Sequence, residues 1–98
     1  MGLFSIYSVT FVKKNIIMRL VTEVPHSRYK IQIFNYNSKF IVKIELDQFE
    51  QVYKIGETDV NGVEDVVKMV NESLLKNSLN RFIEMRSDWG NAFKEINN

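Results

Sequence analysis

The 98-residue chain contains no cysteine, a single histidine and a single proline. The missing thiols remove disulfide frameworks, thiolate zinc sites, iron–sulfur clusters and cysteine nucleophiles together. One histidine is too few for a histidine-rich metal centre or a histidine relay. The four glycines, at 2, 56, 62 and 90, compose no phosphate-cradling loop. No apolar run approaches the ~20 residues that a membrane-spanning helix needs. Neither sign of charge is in excess. Thirteen Lys and Arg stand against 12 Asp and Glu, a net charge of +1, so no global field recruits nucleic acid or an anionic surface. What remains is 45% hydrophobic and 26% charged, the balance of an ordinary soluble domain. The length suits one domain with one modest core.

Residues 1–17 are apolar, and their only charges are Lys13 and Lys14. Those lysines follow the apolar run instead of preceding it, which is the wrong order for a secretory signal. Gly2 lacks the Ser or Thr four residues on that acylation requires; Ile6 stands there. Two readings stay open: an additional strand rich in β-branched and aromatic residues, or a non-native leader with Met18 as the start. Residues 18–98 read as a single α+β domain, with a cytoplasmic location as the default.

The strongest local signal is a hairpin over residues 29–36 and 39–46, with Asn37-Ser38 as its loop. Asn tolerates the left-handed backbone that two-residue loops need. Paired positions then sum to 75. One face carries Tyr29, Ile31, Ile33, Phe40, Val42, Ile44 and Leu46. On the other, Lys30 meets Glu45, Gln32 meets Lys43, and Phe34 meets Ile41; one step further Arg28 meets Asp47. Opposite-charge and apolar pairs fall out of a register chosen only to align the apolar face. A short extended piece, residues 20–24, precedes Pro25, which favours extended backbone before it.

Residues 49–55 read as the next strand, turning through Asp47-Gln48 and setting Glu45 against Glu50. No Gly, Asn or Pro marks that turn, so a bulged strand or a helix competes. Beyond the 56–61 loop, Asn61 reads as an N-cap with Glu64 three residues on. Val63, Val66, Val67, Val70 and Leu74 form one helical stripe. Leu75, Leu79, Phe82, Ile83, Arg86, Trp89, Phe93 and Ile96 form a second. Asn77-Ser78 offers a break between two helices, with Ser78 as cap, against one long helix; Gly90 is expected to end or loosen the last turns. The fold class predicted is α+β: an antiparallel meander of three or four strands followed by one long or two shorter C-terminal helices.

No catalytic constellation survives a structural explanation. His26 lies beside Ser27, but neighbours on an extended chain point to opposite faces. Glu45 and Asp47 have Lys30 and Arg28 opposite, and Glu64 and Asp65 suit a helix first turn. No enzyme activity, metal or cofactor is therefore expected. Two surfaces could bind. Lys30, Tyr36, Lys39, Lys43 and Lys54 share the sheet's outer face, where basic residues beside aromatics suit single-stranded nucleic acid. Phe34, Tyr36 and Ile41 on that face, and Trp89 and Phe93 on the terminal helix, are candidates for a protein interface. For Trp89 and Phe93 a place in the core is the favoured alternative, because the same stripe packs a sheet. Charge divides as +4 over residues 1–56 and −3 over residues 57–98, which favours attraction between halves or between copies. The expected function is a small self-associating protein-interaction domain with a homo-oligomeric or protein partner. Single-stranded nucleic acid is the alternative partner, and no membrane is expected.

Overall fold

Four strands, β1 (Arg19–Val24), β2 (Lys30–Tyr36), β3 (Lys39–Leu46) and β4 (Phe49–Gly56), form one antiparallel meander in chain order. A 3₁₀ turn at Glu57–Asp59, a short helix α1 (Val63–Met69) and a long helix α2 (Glu72–Ile96) follow. The structure, a computed structural model, describes residues 18–97. The expectations for residues 1–17 lie outside the described residues.

The central hairpin has the predicted register. Lys30 faces Glu45, Phe34 faces Ile41, and Tyr36 faces Lys39. Asn37 and Ser38 both take positive φ, 55° and 61°, the pair that lets a two-residue loop follow the strands' twist. The same arithmetic holds at the next turn. Leu46 faces Phe49 and Glu45 faces Glu50, so residues 49–55 are a regular strand with neither bulge nor helix. Asp47, at φ 55°, supplies the left-handed residue. Lys43 lies 3.6 Å from Glu50 and offsets the two like charges there. The irregularity is in β1 instead, where pairing with β2 slips between Leu20 and Thr22 and leaves Val21 as the extra residue.

Ile31, Ile33 and Ile44 are fully buried on the inner face, with Tyr29, Phe40 and Val42, against Val66, Val70, Leu75 and Phe82 of the helices. Polar clamps fix α2 over this face. The Tyr29 hydroxyl donates to the Leu75 carbonyl at 3.4 Å. Gln51 Nε2 donates to the Ser78 carbonyl at 2.9 Å while its Oε1 accepts from Arg81 Nε at 3.3 Å. Arg81 also donates to the Tyr53 hydroxyl at 2.6 Å, and Arg86 pairs with Asp47.

Four local expectations change. The helix break falls at Val70-Asn71, not Asn77-Ser78: the Asn71 side chain accepts from the Leu74 N–H at 2.9 Å and starts α2. Ser78 is wholly buried inside α2. Gly62, at φ 109°, takes the N-cap of α1 in place of Asn61, whose own N–H donates to the Asp65 carboxylate at 2.8 Å. Gly90 neither ends nor interrupts α2, because a helix begun by a good cap tolerates one glycine at a cost of ~1 kcal/mol. Arg28 does not meet Asp47, because β2 begins only at Lys30 and the Asp47 carboxylate turns to Arg86.

Candidate protein interface

Length separates the two halves of α2. Strands of seven or eight residues span about 25 Å, whereas 25 helical residues span about 37 Å. The helix must therefore overrun the sheet. Leu75 and Phe82 are buried and Leu79 is half-buried, and Arg86 makes the last clamp. From Arg86 onward every described residue is exposed.

The overhanging segment keeps the apolar pattern of the packed one. Residues 75, 79, 82, 86, 89, 93 and 96 recur at alternating steps of four and three, so one seam runs the length of the helix. Its second half presents Trp89 at 63%, Phe93 at 65% and Ile96 at 81% exposure. Small residues, Gly90 and Ala92, flank it. With Gln48 and Phe49 from the β3–β4 turn these residues line an open groove of about 510 Å³. Trp89 and Phe93 thus stand outside the core, and Ile96 joins them; Phe49, half-buried against the core, forms the groove's inner edge. The signal that locates them in the sequence is the mismatch between stripe length and strand length.

The outer sheet face is built differently. Leu20, Phe34, Ile41 and Lys54 form a row across all four strands. Ile41 is only 6% exposed and Phe34 and Tyr36 are half-buried. Lys30, Lys39 and Lys54 are exposed there. Lys43 is held, 5.5 Å above the Phe34 ring and beside Glu50. Glu23, Glu45 and Glu50 share this face with the lysines, so its charge is mixed.

His26 sits in the exposed β1–β2 loop with a structural task. Its Nδ1 accepts from the Arg28 N–H at 3.0 Å and the Tyr29 N–H at 3.4 Å, and its ring tilts against Tyr29 at 4.8 Å. Among the described residues, no three His, Asp or Glu side chains gather as a metal site, and no helix is long and apolar enough to cross a membrane. No protein-family model matches the chain, and neither a curated protein nor a solved structure matches it.

Proposed function

We propose that the protein is a small non-catalytic interaction domain whose partner is a second copy of itself. The observation that supports this is the exposed seam of Trp89, Phe93 and Ile96 on a helix end that the subunit's own sheet is too short to cover. Contiguous apolar surface of this kind marks interfaces, and Trp is the residue type most enriched at their energetic centres. Three such side chains leave on the order of 400 Å² of apolar surface per copy. Burying it on two copies contributes roughly 20 kcal/mol gross at ~25 cal/mol per Å². Association costs roughly 4–15 kcal/mol, so a dimer at micromolar concentration is within reach.

The helix end is the better candidate of the two surfaces. Ile41 is already buried within its own subunit, and Phe34 is half-buried. Nucleic acid is the weaker alternative, because Glu23, Glu45 and Glu50 interrupt the basic residues of the outer face and Lys43 is engaged. Sedimentation at micromolar concentration should show a dimer, and changing Trp89 and Phe93 together to Ala should give a folded monomer. A wild-type chain that stays monomeric at ~100 µM and binds single-stranded oligonucleotides with steep salt dependence would replace this reading with the alternative.

A further inference from the structure

The overhanging seam also restricts how a second copy can sit on it. The exposed positions 86, 89, 93 and 96 continue the line of 75, 79 and 82, which face the subunit's own sheet. A partner helix laid along the seam therefore meets the Asp47-Gln48 turn and the Phe49 ring near Arg86 and can go no further. In a parallel pair, the partner's residues 72–85 would need the space that this sheet fills. In an antiparallel pair they run on past the end of α2 into solvent, and each sheet lies beyond the other helix's terminus.

Resting on the self-association reading, we propose that two copies pair through antiparallel overlap of residues 86–96 of α2, about a twofold axis level with Asn91. Paired positions then sum to 182. Trp89 lies against the partner's Phe93, Gly90 is level with the partner's Ala92, and Arg86 is level with the partner's Ile96. The contact is isologous, so one patch serves both copies. The small residues fall at the crossing, where two backbones come closest. The groove between Phe49 and Trp89 receives the partner's Ile96. The aromatic and aliphatic surface of both copies, with Phe49 and the Arg86 stem, reaches on the order of 1,000 Å², the lower bound for a specific interface.

Charge argues against two other occupants. Outside the seam the overhang carries Asp88 and Glu95 against Lys94, and Arg86 is tied to Asp47. A helix that lies on anionic lipid, or follows a phosphate backbone, needs a basic polar face.

A cysteine-free chain allows a clean test. Antiparallel overlap sets position 92 only ~3 Å along the axis from its symmetry mate, but position 96 ~15 Å from its own. Disulfides need Cα atoms within about 7 Å. Under mild oxidation Ala92→Cys should therefore crosslink into a dimer, and Ile96→Cys should not. Crosslinking of Ile96→Cys at least as readily as Ala92→Cys would overturn the antiparallel arrangement while leaving self-association standing. A dimer in sedimentation in which neither variant crosslinks would do the same. A monomer at ~100 µM would remove the self-association reading itself.

Discussion

Ser78 offers a test of the packing between α2 and the sheet. Its side chain is wholly buried, and its hydroxyl has no hydrogen-bond partner among the described residues. Its carbonyl is the acceptor for Gln51, so the backbone here lies close to β4. Replacing Ser78 with Ala removes the orphaned hydroxyl, which costs ~1–3 kcal/mol while it stays buried and unpaired. Ala also has the higher helix propensity, by a few tenths of a kcal/mol. Against these gains, loss of one oxygen atom leaves a small void, which costs a few tenths of a kcal/mol. The net expectation is stabilisation of about 1 kcal/mol, or ~4–8 °C in Tm for a domain of this size. Ser78→Leu should do the reverse, since extra methylenes in a packed site cost ~1–3 kcal/mol. Urea unfolding of the three proteins with a shared m-value measures both differences. If Ser78→Ala were destabilising by 1 kcal/mol or more, the hydroxyl would have a buried partner and the packing described here would be wrong.

Ser38→Gly should stabilise by roughly 0.5–1 kcal/mol in thermal unfolding, because Ser38 sits at φ 61° where a β-carbon is strained; a loss would show that the loop is not held there. Asn71→Ala should cost about 1 kcal/mol through the lost cap of α2, with Asn71→Ser or Asn71→Asp close to neutral. His26→Ala should cost up to ~1 kcal/mol, since its ring nitrogen accepts from two backbone amides, whereas His26→Asn should recover part of that by an Asx turn; a neutral Ala variant would mean the loop holds without it.

The sheet was the most legible part because its evidence is redundant. The register that aligned Ile31, Ile33, Val42 and Ile44 on one face also placed Lys30 opposite Glu45 and put Asn37-Ser38 at the turn, and the structure has all three. The β3–β4 turn carried no Gly or Asn, yet it forms around Asp47, whose short polar side chain also tolerates positive φ. Helix boundaries were less legible: Asn61 and Ser78 read as caps, whereas Gly62 and Asn71 hold those places. Only packing decides among them: Val70 and Leu75 must both reach the core, and the chain has to break between them. The interface candidates were hardest. Trp89 and Phe93 share a stripe with Leu75 and Phe82, and periodicity cannot say where the sheet beneath it ends. Ile41 had the opposite difficulty. Alternation puts it on the outer face, yet it is buried there, in the row that holds Leu20, Phe34 and Lys54.

Trp89 is the only tryptophan in the chain, so its fluorescence reports the proposed contact without a label. Emission should be recorded while the protein is diluted from ~100 µM to ~0.1 µM, a range that brackets a micromolar dissociation constant. Self-association through the free end of α2 predicts blue-shifted emission at high concentration that moves to the red on dilution. Phe93→Ala removes the same contact from both copies of a twofold dimer, so a loss of ~1 kcal/mol at each should move the midpoint to about 30-fold higher concentration. Emission characteristic of a water-exposed indole at every concentration, or a transition indifferent to Phe93, would contradict it.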